Sequence, residues 1–257
     1  MSITRHIPNF FTSLNLLLGT IAIVYSFKGL QLFAVYLILA ASILDFVDGF
    51  AARVLNAYSK MGKELDSLAD LVSFGLAPSI LLYYRYDQFI GHQISGGYDT
   101  IYMELLQFVP LLITVASALR LAKFNTDESQ SETFSGMPTP ANAILIGMFL
   151  HFTTFDHRFD PLIDNFWFIP AISIILSYLL VCRIPMFSLK FKNIGWRDNK
   201  VRYITAAFGV LSLVLCFLLN CKWSFSLFIT FLFYLLFNII SHIYLNINKI
   251  WQKAERA

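Results

Sequence analysis

Long runs of apolar residues constrain this chain more than any other feature of its sequence. A transmembrane helix needs about 20 predominantly apolar residues, and eight stretches of the chain meet that requirement. Because 57% of the residues are hydrophobic and only 14% are charged, the apolar surface exceeds what a compact soluble domain buries. We therefore predict an all-α integral membrane protein with about eight transmembrane helices. The predicted spans are 9–27, 31–52, 65–84, 103–123, 139–155, 165–182, 203–220 and 223–245.

The distribution of Lys and Arg predicts how these helices are oriented. An even number of spans places both termini on one side, and 15 of the 19 cations fall on that side. Cytoplasmic loops carry such an excess, so we expect both termini on the cytoplasmic side of the cell membrane. The net charge of +3 is too small to indicate nucleic-acid binding. The four cations on the opposite side are Lys28, Arg85, Arg158 and Lys222.

Four aspartates lie near the predicted cytoplasmic ends of the second and third spans. Residues three or four apart share a face of a helix, so Asp45 projects beside Asp48, and Asp66 projects beside Asp70. The loop between these spans is short enough to return the helices antiparallel and adjacent, so the two pairs can converge. Carboxylates in a membrane are costly and are usually functional.

Converging carboxylates need compensating positive charge. Two divalent cations would supply it, and oxygen ligands without a nearby His or Cys favour Mg²⁺ or Mn²⁺. Paired metal ions are a recurrent device in phosphoryl transfer. Gly49, Ala52 and Gly62 carry little bulk on the same faces, which leaves room for a phosphate or a base. Arg53 lies one turn beyond Gly49 and can bind a phosphate bidentately.

Two other interpretations of the aspartates stay open on the residues alone. They can be ordinary acidic residues at solvated helix ends, although four of them beside matched small residues argue against this. They can also form the proton or ion relay of a carrier. Transport sites tend to lie near the middle of the bilayer, whereas these aspartates lie near the ends of their spans.

The aspartate pattern resembles the signature of the CDP-alcohol phosphotransferase family at every fixed position. This resemblance implies a six-helix membrane core, a two-metal site held by the four aspartates, and a homodimer. It also implies that an alcohol displaces CMP from a CDP-linked lipid or alcohol, with Asp70 as general base. The matching residues are Asp45, Asp48, Gly49, Ala52, Arg53, Gly62, Asp66 and Asp70.

The beginning of the first span is also similar to the first helix of this family. Asn9, Thr12 and Asn15 fall on one helix face, which can point toward the nucleotide or simply start the helix. The residues expected to bind the nucleotide and its diphosphate are Asn9, Thr12, Gly49, Ala52, Arg53 and Gly62.

Residues 66–78, 119–125 and 134–140 are similar to family members whose acceptor alcohol is serine. The resemblance then implies transfer of the phosphatidyl group from CDP-diacylglycerol to the hydroxyl of L-serine. Arg120, Lys123 and Asn125 are the candidate serine-binding residues, although the two cations can equally mark the cytoplasmic side. Glycerol phosphate, inositol phosphate or another small alcohol is the alternative acceptor.

The resemblance ends near residue 185, which suggests three parts of the chain. We predict a catalytic core of six helices over 1–185, a basic cytoplasmic loop over 186–202, and two additional helices with a short tail over 203–257. We expect the helices to contact membrane lipids, and we assign the last two no chemistry.

Overall fold

The chain is almost entirely helical in the computed structural model, which describes residues 6–95, 101–126, 134–186 and 195–254. A π-helical segment, Leu71–Leu76, joins α3 to α4. Short 3₁₀ turns cover Val109–Leu111 and His157–Phe159. The α-helices are α1 (His6–Phe27), α2 (Gln31–Val54), α3 (Lys60–Asp70), α4 (Ala77–Ser95), α5 (Ile101–Leu106), α6 (Leu112–Thr126), α7 (Thr139–Phe155), α8 (Asp160–Ile163), α9 (Phe168–Val181), α10 (Trp196–Leu218) and α11 (Trp223–Ala254).

Six helical segments of the described chain are long and apolar enough to cross a membrane. A seventh is obtained if His157–Ile163 and Phe168–Val181, which meet at an angle of 80°, count as one bent span. Each of the eight predicted stretches contains helix, but α7 has only 17 residues, at the lower limit for a spanning helix. The structure therefore supports a multi-pass membrane protein with six to seven spans. The six are His6–Phe27, Gln31–Val54, Lys60–Gln93, Glu104–Thr126, Asn199–Leu218 and Trp223–Tyr244.

Helix α1 packs closely on the π-helical segment because both offer small residues at their contact. A Cβ added to Gly19 would lie 2.2 Å from Ser73 Oγ, so no larger residue fits there without a shift of the backbone. The Ser73 hydroxyl donates a hydrogen bond of 2.9 Å to the carbonyl oxygen of Asn15. This contact fixes α1 beside the chain that directly follows Asp70.

A short loop over the start of α7 is held by the end of α9. Strands β1 (Phe134–Ser135) and β2 (Pro185–Met186) pair antiparallel, with Phe134 opposite Met186. Gly136 has a φ of +80°, and a Cβ there would lie 2.6 Å from the carbonyl oxygen of Leu180. The segment before α7 is thus fixed against α9. The sequence predicts a polar loop over 124–138, but α6 continues to Thr126, and residues 127–133 lie outside the described chain.

The last two helices are attached to the core through α7. Phe228 of α11 packs against Phe149 and Phe152 of α7, with ring centroids 5.7 and 5.2 Å apart. Helix α10 packs on α11 through a stack of Phe208 on Phe233, whose centroids are 4.3 Å apart. Helix α10 begins at Trp196, within the predicted basic loop, and residues 187–194 of that loop lie outside the described chain.

Candidate functional site

The structure brings the four aspartates of α2 and α3 together. One carboxylate oxygen from each of Asp45, Asp48 and Asp66 lies within 4.8 Å of the others. Asp70 interacts directly with Asp45 and lies within the electrostatic range of Asp48 and Asp66. The two helices therefore direct their acidic faces into one shared site.

The turn between α2 and α3 is built to return the chain over a short distance. Asn56 adopts a left-handed conformation with φ of 48°, which Asn tolerates better than most residues, and it ends α2. Ser59 begins α3 as its N-cap, since its hydroxyl oxygen accepts a hydrogen bond of 2.9 Å from the Gly62 amide. This capping fixes where α3 starts, and hence which face carries Asp66 and Asp70.

The aspartate cluster has the properties that a divalent cation requires. Its donors are hard carboxylate oxygens, which suit Mg²⁺ or Mn²⁺. Asp70 Oδ1 is buried and has no hydrogen-bond partner among the described residues, and a buried unpaired oxygen is unfavourable unless something binds it. A Cβ added to Gly49 would meet nothing within 4 Å, so open space adjoins the cluster. The residues present therefore fit a divalent metal ion.

Thr12 supports the cluster from α1. Its hydroxyl donates a hydrogen bond of 2.7 Å to Asp48 Oδ2, and both side chains are buried. Because this hydroxyl also contacts the carbonyl oxygen of Pro8 at 3.1 Å, it is directed at the protein. From the sequence, Thr12 is expected at the nucleotide, whereas the structure gives it a partner among the carboxylates.

The other residues expected to bind the nucleotide lie on α1, α2 and α3 near the acidic faces, but they do not all contact one another. Asn9 approaches the start of α3, since a Cβ added to Gly62 would lie 3.0 Å from Asn9 Oδ1. Gly49 and Ala52 are half-buried on α2. Arg53 is exposed, and its Nε donates a hydrogen bond of 3.0 Å to the Gly49 carbonyl oxygen.

A cavity of about 400 Å³ opens beside Asp45, Asp66 and Asp70. Its lining combines these carboxylates and other polar groups with aliphatic and aromatic side chains. The polar lining residues besides these aspartates are Lys63, Ser67, Arg120, Asn125 and Thr139. The apolar ones include Leu121, Pro138, Pro140, Ile144 and Phe231.

The expected serine-binding residues divide between this cavity and the surface. Arg120 lines the cavity near Asp70, is only 9% exposed, and has an Nε atom without a hydrogen-bond partner in the described chain. Asn125 also lines the cavity, and its amide donates a hydrogen bond of 2.8 Å to Ser67 Oγ. Lys123 is exposed and is not among the lining residues.

Several cavity residues were not singled out from the sequence. Lys63 and Ser67 lie close to Asp66 in the sequence, and this proximity could have indicated that they belong to the site. In the structure Lys63 Nζ donates a hydrogen bond of 3.2 Å to the Asn125 carbonyl oxygen. Thr139 lies within residues 134–140, which resemble the family members that use serine. The aromatic residues of α11 offered no signal, because nothing in a lipid-facing helix distinguishes one Phe from the others.

Fold and site together define a multi-pass membrane protein with an acidic site suited to a metal ion. The sequence model of the CDP-alcohol phosphatidyltransferase family matches residues 5–179. The chain belongs to this family.

Curated relatives align over the core and in some cases over nearly the whole chain. A CDP-diacylglycerol–serine O-phosphatidyltransferase from Helicobacter pylori is 30% identical over 253 residues, covering 97% of this chain and 96% of the relative. The enzyme of the same description from Bacillus subtilis is 38% identical over 59% of this chain and 72% of its own length. Archaetidylserine synthase from Methanothermobacter thermautotrophicus is 34% identical over 56% of this chain and 57% of its own length.

Proposed function

We propose that this chain transfers the phosphatidyl group of CDP-diacylglycerol to the hydroxyl of L-serine, which releases CMP and forms phosphatidylserine. The observation that carries the proposal is the convergence of Asp45, Asp48, Asp66 and Asp70 beside a cavity that also contains Arg120. The activity named for the Helicobacter pylori relative, which aligns with 97% of this chain, supports the same substrates.

The positions of the aspartates suggest which residues bind the metal ions and which bind the nucleotide. Asp45, Asp48, Asp66 and Asp70 would hold two divalent cations, Mg²⁺ or Mn²⁺. When bound, such ions neutralise the diphosphate and stabilise the charge of the departing CMP. Asn9, Gly49, Ala52, Arg53 and Gly62 would bind the nucleotide and diphosphate, and Thr12 would orient Asp48.

Asp70 is the proposed general base because it lines the cavity that serine would enter. It accepts the proton of the serine hydroxyl, whose oxygen attacks the phosphorus that carries diacylglycerol. The bond between this phosphorus and the bridging oxygen breaks, and CMP leaves with the electron pair. Atoms and charge are conserved, since the proton on Asp70 passes to solvent.

Arg120 is the proposed partner of the serine carboxylate. Its buried guanidinium has an unpaired Nε, and a charge-assisted hydrogen bond to a carboxylate would satisfy it. The other cation among the described lining residues, Lys63, already contacts the Asn125 carbonyl oxygen. Arg120 is then the cation that can bind an acceptor, since Lys63 already has a partner. A single cation suits an acceptor with one carboxylate better than a phosphorylated alcohol, which carries more negative charge.

The membrane setting completes the proposal. The protein would lie in the plasma or inner membrane. The acyl chains of the lipid substrate would stay in the bilayer, while the site and both termini would face the cytoplasm. We also propose a homodimer, as the family resemblance implies.

A single assay tests the function. Purified protein is incubated with CDP-diacylglycerol, labelled L-serine and either Mg²⁺ or Mn²⁺, and CMP and labelled lipid are measured. We expect both products in equal amounts, only when metal is present. Parallel reactions with glycerol phosphate and inositol phosphate test the alternative acceptors, and uptake of a cation into vesicles without CMP release would contradict the enzyme and indicate a carrier.

A further inference from the structure

Helix α11 contributes to the substrate cavity although it lies outside the segment that matches the family. The family match ends at residue 179, whereas Phe231 and Tyr234 of α11 line the cavity together with Asp70, Arg120 and Thr139. The catalytic region of the six-helix core is therefore closed on one side by a helix that the family pattern does not include.

This wall is held firmly in place. Tyr234 is only 4% exposed, and earlier on the same helix Phe228 packs against two Phe rings of α7. At the beginning of α11, Ser224 Oγ lies 2.8 Å from Nδ1 of the buried His151 in α7. Packing and a buried hydrogen bond thus fix α11 to the helix whose first turn carries Thr139.

The polar groups that line the same cavity indicate what it accepts. Arg120 Nε and Thr139 Oγ1 are buried without a hydrogen-bond partner in the described chain, and both residues line the cavity. A small polar acceptor can satisfy these two groups and place its hydroxyl near Asp70. Because Phe231 and Tyr234 bound the same cavity, their size limits how large the acceptor can be.

We propose that Phe231 and Tyr234 of α11 close the acceptor cavity, restrict it to an alcohol the size of serine, and exclude water from Asp70. This inference rests on the proposed function and names residues that determine its specificity. A smaller side chain at Phe231 makes room for one more methylene, which is worth about 10- to 200-fold in discrimination. It also admits water, whose oxygen can attack the same phosphorus, pass its proton to Asp70 and release CMP and phosphatidic acid.

The test compares Phe231→Ala with wild type on L-serine and on L-homoserine, which has one additional methylene. We expect the wild-type preference for serine, as a ratio of kcat/KM values, to fall about tenfold, and metal-dependent CMP release without any acceptor to rise. Phe233→Ala is the matched control, because Phe233 lies on the same helix but stacks on Phe208. It should leave both readings at the wild-type level.

Other outcomes separate the possible failures. An unchanged serine to homoserine ratio, with a raised KM for CDP-diacylglycerol, would overturn the proposal and assign the wall to the lipid. If Phe231→Ala does not fold, Phe231→Leu removes less volume and takes its place. The same ratio of kcat/KM values for serine and homoserine is then measured, and its expected fall is smaller. If the wild type transfers to another acceptor, the proposed function fails, and the wall is tested with that acceptor and its homologue one methylene longer.

Discussion

Individual hydrogen bonds at the acidic site connect side chains that lie far apart in the sequence. Thr12 and Asp48 are 36 residues apart, yet their oxygen atoms lie 2.7 Å from each other. A hydroxyl that donates to a carboxylate both orients it and leaves its other oxygen available for a ligand. The consequences of removing each such group differ, and they can be measured separately.

Loss of the Thr12 hydroxyl should weaken metal binding. Thr12→Val retains the shape of the side chain but leaves Asp48 without its donor, and loss of such an outer contact costs about 10- to 100-fold in metal affinity. We expect the Mn²⁺ concentration for half-maximal activity to rise about tenfold. Ser13→Ala is the control, since the Ser13 hydroxyl bonds the carbonyl oxygen of Asn9 in its own helix. An unaltered Mn²⁺ requirement in Thr12→Val would remove Thr12 from the site.

Replacement of the proposed base should abolish turnover while binding persists. Asp70→Asn retains the size of the side chain but cannot accept the serine proton, and we expect kcat to fall about 10²- to 10⁴-fold. Binding of CDP-diacylglycerol, measured by titration calorimetry with Mg²⁺ present, should remain, because Asp45, Asp48 and Asp66 can still hold a cation. Glu64→Gln, on an exposed residue of the same helix, should alter neither. An equal loss of binding would refute the assignment of Asp70 as base.

Removal of the buried guanidinium should affect the acceptor more than the lipid. In Arg120→Ala the serine carboxylate loses a charge-assisted hydrogen bond, for which roughly 1.5 to 3 kcal/mol is typical. We expect the KM for serine to rise at least about tenfold, and the KM for CDP-diacylglycerol to change little. Lys123→Ala, an exposed cation on the same helix, is the matched control. Were the serine dependence of Arg120→Ala to equal that of wild type, the guanidinium would have no part in the acceptor pocket.

At the scale of elements, the segment before α7 shows how a loop contributes to the lining of the cavity. Pro138, Thr139 and Pro140 line the cavity because β1, β2 and Gly136 attach this segment to the end of α9. The Gly136 amide donates to the Ile184 carbonyl oxygen at 2.9 Å, and the Met137 amide donates to the Leu179 carbonyl oxygen at 2.8 Å. The position of Thr139 thus depends on residues some 40 positions later in the chain.

A side chain at Gly136 should disturb this attachment. Gly136→Ala places a Cβ in a left-handed conformation, which costs about 1 to 2 kcal/mol, and brings it 2.6 Å from the Leu180 carbonyl oxygen. We expect a lower melting temperature and a raised KM for serine. Gly91→Ala adds the same atom to α4, where nothing lies within 4 Å, and should change neither. A Gly136→Ala protein as stable and active as wild type would show that this attachment is dispensable.

For the whole molecule, the arrangement of spans determines which loops face the cytoplasm. The predicted orientation places the turn between α10 and α11 on the opposite side from the acidic site. That turn contains Cys221, which is partly exposed, while Cys182 and Cys216 are buried. The three cysteines therefore give a direct measurement of orientation.

A membrane-impermeant maleimide added to intact cells should label the protein at Cys221. We expect the labelling to disappear in Cys221→Ser, because the other two thiols are buried. If the reagent labels the protein only after the cells are opened, the predicted orientation is wrong and the acidic site faces outward.

Local sequence patterns were sufficient for the helices and for the acidic faces. Apolar runs of membrane length dictate helix, because a backbone in lipid must satisfy its own hydrogen bonds, and helical spacing places Asp45 beside Asp48. Spacing cannot reveal which distant elements approach that site. The contact of Thr12 with Asp48, the position of Thr139 and the place of Phe231 in the cavity lining arise from packing between helices that are distant in the sequence. Such contacts depend on the shape of every helix between them.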